Sequence, residues 1–271
     1  MPAFDDIPLE ILKVGPNGPA EGRPTLVFAH GAFAGAWIWL GGFLQHFADK
    51  GYPCVAFGFR GHAHGDPETP PNGIGLDQYV QDLKEVVAAI DGPVVVVAHS
   101  MGGLVAQMAL GHVAPRALCL LAPAPIEGMA WSNTQLAFAD PHLWLAALQT
   151  ALEPHSATPD MTRRAMLSED APQAMVDAIF GRLRAEPTLA LSQAHMPQAA
   201  ASAQALGIPT LVIRGTRDKL IPDDACVRTA LYHGARYERL PEIAHGLMVD
   251  THWQRCAEAI EQWLGDVAVS A

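Results

Sequence analysis

Five short apolar runs recur along the chain, at 24–29, 53–57, 93–98, 117–121 and 209–213, and they constrain the fold more than any other feature. They consist mostly of Val, Leu, Ile, Phe and Ala, with little alternation between apolar and polar positions. A strand with one wet face alternates, whereas a continuous apolar run fits a strand covered on both faces, as in a parallel sheet between helix layers. Segments at about 36–50, 76–90 and 101–114 read as helices long enough to cross from one parallel strand to the next. The stretches 7–14 and 235–240 are expected to add strands at the two edges. The fold class is therefore α/β, with a mostly parallel central sheet flanked by helices.

The alternation stops between about Ile126 and Leu206. No comparable strand run occurs there, but helix formers abound, punctuated by Pro141, Pro154, Pro159, Pro172, Pro187 and Pro197. The stretch reads as several short helices separated by proline-marked turns. Strand-like runs resume at Pro209, so the expected organisation is a core domain of residues 1–125 and 207–271 with a helical lid, 126–206, inserted into it. The larger apolar side chains of the lid include Met129, Trp131, Phe138, Trp144, Met161, Met166, Met175 and Phe180. Most are expected to hold the lid together or dock it, and one or two to face a substrate pocket.

Composition narrows the function. Half of the 271 residues are hydrophobic, enough for a sizeable core, and 17 basic against 28 acidic residues leave a net charge of −11. Such a surface repels phosphate backbones and anionic headgroups, which weighs against nucleic-acid partners. No run approaches the roughly 18 apolar residues of a membrane span, and the N-terminus has no basic stretch followed by an apolar one, so a soluble, cytoplasmic protein is expected. Cys54, Cys119, Cys226 and Cys256 are widely spaced and read as small buried hydrophobes rather than a disulfide framework.

The chemistry concentrates in Val94-Val95-Val96-Val97-Ala98-His99-Ser100-Met101-Gly102-Gly103. A serine at a sharp strand-to-helix turn is lifted above the sheet edge, and the turn closes only if the residues two before and two after are small. Here those are Ala98 and Gly102. The helix that follows aims its N-terminal amides at the site, favouring an anionic intermediate. A plain helix cap by Ser100 is the competing reading.

This segment resembles the G-x-S-x-G nucleophile elbow of the α/β-hydrolase superfamily of serine carboxylesterases and lipases, with Ala98 in place of the first glycine. The resemblance runs from Leu26 to the final helix and implies a catalytic triad in the order nucleophile, acid, histidine. Ala244-His245-Gly246 resembles the family's histidine loop, which makes His245 the base. The acid falls best on Asp218 in Gly215-Thr216-Arg217-Asp218, similar to the family's G-x-x-D loop. Asp223 and Asp224 are its rivals, placed where a carboxylate would serve a helix start instead. His30-Gly31-Ala32-Phe33 resembles the family's oxyanion loop, implying the backbone amides of Ala32 and Met101 as donors. Phe33 reads either as a wall of the substrate pocket or as core. His30 itself reads as an anchor of that loop.

Arg60-Gly61-His62-Ala63-His64 has an H-x-H spacing that could suggest a metal, but the family carries an Arg-Gly-His turn here and no further ligand cluster is evident. No phosphate-loop signature follows a strand. Neither metal nor organic cofactor is expected; the partners are a small-molecule acyl substrate and water. Gly35-Ala36-Trp37-Ile38-Trp39 is similar to plant methyl esterases and hydroxynitrile lyases, although those lyases carry a lysine where this chain has Gly246. The expected activity is hydrolysis of a small to medium hydrophobic carboxylic ester. Lactonase, thioesterase, cofactor-free perhydrolase and C–C bond hydrolase chemistry remain open with the same triad, as does a non-catalytic ligand-binding receptor.

Overall fold

A computed structural model describes residues 9–16, 22–63, 73–153 and 156–269. Each apolar run becomes a strand: β2 (Thr25–Ala29), β3 (Cys54–Phe57), β4 (Val94–His99), β5 (Ala117–Leu121) and β6 (Thr210–Gly215). With β1 (Ile11–Val14) and β7 (Arg236–Leu240) they form one seven-stranded sheet in the order β1-β3-β2-β4-β5-β6-β7. Only β1 runs antiparallel to its neighbour, pairing Ile11 with Phe57; every other pairing is parallel. The two edges are where the sequence places them, and Ile7 and Pro8 of the expected first strand lie outside the described residues. β3, β4, β5 and β6 are buried throughout, while β7 is only partly buried and carries Arg236, Glu238 and Arg239. Charge at an edge strand discourages further strand addition.

The helices of the sheet region are α1 (Phe43–Asp49), α2 (Leu76–Ala88), α3 (Ser100–Ala109), α9 (Asp223–His233) and α10 (Trp253–Val269). α1 packs against α10 and α2 against α3. The helix expected over 36–50 is two pieces, a 3-10 turn at Ala36–Trp39 followed by α1. The break is local: Gly42 has φ 102°, and a Cβ there would lie 2.8 Å from the Trp253 indole. α3 ends at Ala109 rather than 114, and Leu110 turns to an extended conformation.

Between β5 and β6 the chain forms α4 (Ala130–Ala139), α5 (Pro141–Leu152), α6 (Pro159–Met166), α7 (Gln173–Phe180) and α8 (Thr188–Ala194), with no strand among the described residues. The prolines mark starts: Pro141 and Pro159 open α5 and α6, and Pro172 and Pro187 immediately precede α7 and α8. Proline already has a helical φ, and its missing N–H costs nothing in a first turn. Asp140 and Thr158 cap α5 and α6 by accepting the Leu143 and Met161 amides at 3.0 and 3.2 Å. Two small apolar clusters hold these helices, one around Leu136, Leu143 and Ala165, the other around Leu167, Val176 and Ile179. Met129 packs on the main core, Trp144 and Met175 on the small clusters, and Trp131 and Phe138 are exposed.

Candidate active site

β4 passes into α3 without a connecting loop, and the junction is Ser100, with φ 51°. A non-glycine residue in the left-handed region is strained and needs its surroundings to hold it. Gly102 permits the close approach: a Cβ there would press on the His30 carbonyl and lie 2.9 Å from that of Ala29. Ala98 is fully buried, so the small residues on both sides of the turn meet packing that excludes larger ones. The Ser100 carbonyl accepts the Ala124 amide at 2.9 Å. Ser100 is half-buried between the buried His99 and Met101.

The loop after β6 lies along the loop after β7. Thr216 N–H donates to the Leu240 carbonyl at 2.8 Å and Arg217 N–H to that of Ile243 at 2.9 Å. This brings Asp218 to His245: the imidazole Nδ1–H donates to Asp218 Oδ2 at 2.8 Å, with both residues buried. Asp218 Oδ1 accepts the Leu220 and Ile221 amides at 2.8 and 3.0 Å. Arg214 bridges the Asp218 and Ile221 carbonyls at 2.7 and 2.8 Å, closing the turn around the carboxylate. Burial pushes the Asp218 carboxyl up, but His245 and the Ile221 amide outweigh it and hold it below the usual range. Asp223 and Asp224 are engaged elsewhere, in the first turn of α9. Asp223 accepts the Tyr237 hydroxyl at 2.8 Å, and Asp224 pairs with Arg228 and accepts Gln135 at 3.3 Å.

Ser100 and His245 are joined through His99. Its Nε2–H donates to the His245 carbonyl at 2.9 Å, and the two rings lie 4.6 Å apart. Burial, reinforced by the neighbouring His245, pushes the His99 imidazole down to about 3, so the link is a neutral one.

The loop after β2 lies against the same turn; a Cβ at Gly31 would be 2.9 Å from that of Ser100. His30 is fully buried, donates from Nδ1 to the Gly31 carbonyl at 2.7 Å and accepts the Phe59 amide on Nε2 at 3.0 Å. Met101, in the first turn of α3, carries one of the amides that have no intrahelical acceptor. Ala32 and Phe33 line a cavity of about 880 Å³ whose other walls include Trp37, Met161, Met166 and Phe180. The cavity thus lies between the loop after β2 and the helices α6 and α7.

Of the H-x-H pair, His62 bonds Glu186 at 3.1 Å, while His64 lies outside the described residues. Among the described residues no group of three or more His, Cys, Asp or Glu is disposed to hold a metal ion. The four cysteines are free and buried, and no described helix is long and apolar enough to cross a membrane.

Four residues escaped the sequence reading: His99, Arg214, Glu186 and Asp250. Asp250 is fully buried and accepts the Ser168 amide at 2.8 Å, the Ser168 hydroxyl at 2.9 Å and the Ala244 amide at 3.2 Å. It therefore ties the loop carrying His245 to the end of α6, where the Gly246 amide also donates to the Met166 carbonyl at 2.7 Å. Glu186, just ahead of Pro187, has the appearance of an ordinary helix-start carboxylate.

A doubly wound, mostly parallel sheet, with a serine at a strained strand–helix turn and a buried histidine–aspartate pair beside it, defines a hydrolase-type enzyme. The chain belongs to the alpha/beta hydrolase family, whose model matches residues 26–259. Solved structures share the fold over nearly the whole chain. An esterase from Exiguobacterium antarcticum is 16% identical with a TM-score of 0.74, covering 97% of each chain. An esterase from Thermogutta terrifontis is 18% identical with a TM-score of 0.72, covering 96% of this chain and 93% of that one. A bromoperoxidase from Bacillus anthracis is 17% identical with a TM-score of 0.70, covering 97% and 98%. No curated protein matches the chain in sequence.

Proposed function

We propose that the protein is a serine hydrolase that cleaves small to medium apolar carboxylic esters, with Ser100 as nucleophile, His245 as base and Asp218 as its orienting acid. The observation that carries this reading is the buried 2.8 Å contact between His245 Nδ1 and Asp218, formed beside the strained turn at Ser100. That contact fixes the tautomer and leaves Nε2 as the basic nitrogen. Ser100 Oγ attacks the acyl carbon as its proton passes to His245, and the carbonyl oxygen becomes an oxyanion held by the Ala32 and Met101 amides. Collapse expels the alkoxide, which takes the proton from His245. Water, deprotonated by His245, then attacks the acyl-enzyme, and collapse breaks the bond to Ser100 Oγ as His245 returns the proton to it and the acid leaves. Each amide donor in such a hole is typically worth about 2.7–4 kcal/mol in the transition state.

Residues 126–206 act as a cap over this site. The cavity of about 880 Å³ lies towards the upper end of the usual range for small-molecule sites, roughly 300–1,000 Å³, and Trp37, Met161, Met166 and Phe180 give it an apolar wall. That supports an acyl chain rather than a polar polymer as its occupant, with Phe33 flanking the acyl carbonyl. The esterases and the bromoperoxidase share the fold alone with this chain, so the substrate is argued from the cavity and not from them.

The test is hydrolysis of p-nitrophenyl esters from acetate to decanoate by wild type and Ser100→Ala. Loss of turnover by at least about 10³-fold in the variant is expected, with an optimum at intermediate chain length. Equal turnover in both proteins would remove Ser100 from the mechanism.

A further inference from the structure

The backbone of Phe33 is gripped from both sides by one short stretch of the helical segment between β5 and β6. Its N–H donates to Glu186 Oε2 at 2.8 Å and its carbonyl accepts the Arg184 N–H at 2.9 Å. Phe33 has φ 63°, a conformation that a bulky residue keeps only when its neighbours impose it.

Glu186 is built for more than this one bond. Its carboxylate is completely buried and receives three donors: the Phe33 amide, His62 Nε2–H at 3.1 Å and the Tyr79 hydroxyl at 2.6 Å. His62 follows β3 and Tyr79 belongs to α2, so the carboxylate gathers three separate parts of the sheet region. Arg60, two residues before His62, is itself paired with the buried Asp82 of α2, which steadies that side. Burial pushes the Glu186 carboxyl up, but His62 and the two other donors more than offset it, so the group stays ionised. Phe33 carries the only main-chain group among these donors.

Peptide geometry connects this to the chemistry. In a trans peptide the C=O and the following N–H point in opposite directions. His30 holds the Gly31 carbonyl at 2.7 Å, which turns the Ala32 N–H the other way. Glu186 holds the next peptide through the Phe33 N–H. Ala32 therefore sits between two fixed peptide planes, one set by the strand end and the other by the helical segment.

We propose that Glu186 is a positioning residue through which the helical segment sets the aim of the Ala32 amide at the developing oxyanion. This rests on the serine-hydrolase reading above. Glu186 touches no reacting atom; it acts through Phe33. Losing it releases the Ala32–Phe33 peptide and the strained Phe33, so Ala32 is held at its Gly31 end alone and its N–H can swing off the oxyanion, while the Trp37, Met161, Met166 and Phe180 walls of the cavity stay in place. The effect should fall on the step that forms the tetrahedral centre and not on ground-state binding.

The experiment uses the full-length protein and an alkyl fluorophosphonate, whose P=O occupies the same hole as Ser100 Oγ bonds to phosphorus and fluoride departs. Labelling rates are compared for wild type, Ser100→Ala, Glu186→Gln and Tyr79→Phe, alongside kcat and KM for p-nitrophenyl butyrate and the melting temperature. Glu186→Gln is expected to label about 10–100-fold more slowly and to lose kcat in proportion, with KM within about two-fold, since full loss of one donor costs about 10²–10³. Tyr79→Phe removes another partner of the carboxylate but spares the Phe33 bond, so it should lower the melting temperature and leave labelling nearly unchanged. If Glu186→Gln does not fold, Glu186→Asp, which keeps the charge but retracts it from Phe33, should show the same slowing. Wild-type labelling that is lost in Ser100→Ala but undiminished in folded Glu186 variants would overturn this inference alone. Equal slowing in Tyr79→Phe and Glu186→Gln would reduce Glu186 to a structural role. Wild type that does not label at Ser100 would overturn both the serine mechanism and the positioning role.

Discussion

The two sides of the cavity are built differently. On the sheet side, β4 and β6 are buried along their whole length, and the loops after β6 and β7 are tied to one another by main-chain bonds. On the helical side, short helices carry two small apolar clusters and leave Trp131 56% and Phe138 87% exposed. Trp37, Val249 and Leu220 of the sheet side pack on the helical clusters, and two buried carboxylates add polar ties: Glu186 grips the loop after β2, and Asp250 binds Ser168 at the end of α6. A close-packed side holds atoms to the tolerance that catalysis needs, while a loosely packed one can be reshaped to fit a different substrate. Buried carboxylates at the junction make the two sides interdependent, because their donors cannot be left unpaired cheaply.

The sharpest way to break this comparison is on the sheet side. Asp218→Asn should lower kcat by about 10⁴, as loss of the orienting acid does in serine proteases, with the fold intact. Asp223→Asn, which loses only first-turn contacts, should change kcat by less than about two-fold. Comparable losses in the two variants would mean that the acid has been misassigned.

Cutting the junction comes next. Asp250→Ala leaves the Ser168 amide and hydroxyl and the Ala244 amide without their acceptor in a buried place. A loss of about 3 kcal/mol in urea unfolding is expected, together with reduced kcat as the His245 loop slackens. A stability within about 0.5 kcal/mol of wild type would show that the two sides are held by apolar packing alone.

The stability of the sheet side should also depend on pH. Burial drives the His30 and His99 imidazoles from 6.5 down to about 3, so both are neutral in the folded protein. Unfolding exposes them, and below about 6.5 the unfolded chain takes up protons that the native state does not. Their stabilisation is complete above pH 6.5 and is lost progressively as pH falls towards 3, at up to about 1.4 kcal/mol per pH unit for each. Asp218 and Glu186, whose carboxyls are held low, add their own loss only at more acidic pH. Urea unfolding between pH 7.5 and 5 measures the histidine part directly. A flat profile across that window would mean that these rings carry charge in the folded state.

Much of the sheet side was legible in the chain itself. Strands buried on both faces require unbroken apolar runs, and 93–98 announces β4 by that rule alone. A turn that brings α3 against the end of β2 admits only a small residue at 102, so the local pattern around Ser100 is itself a steric record. The prolines that open α5 and α6 belong to the same class, since their effect is confined to one helical turn. Other features had no local trace. The contact from Phe33 to Glu186 spans 153 positions and that from Ser168 to Asp250 spans 82, and neither carboxylate differs along the chain from one placed at a solvated helix start. The break at Gly42 depends on Trp253 arriving from the far end of the chain. Apolar period and residue size are written position by position, so the sequence alone determined the sheet and the turn at Ser100. Which buried charge meets which donor depends on how distant segments come together, and only the tertiary structure decided that.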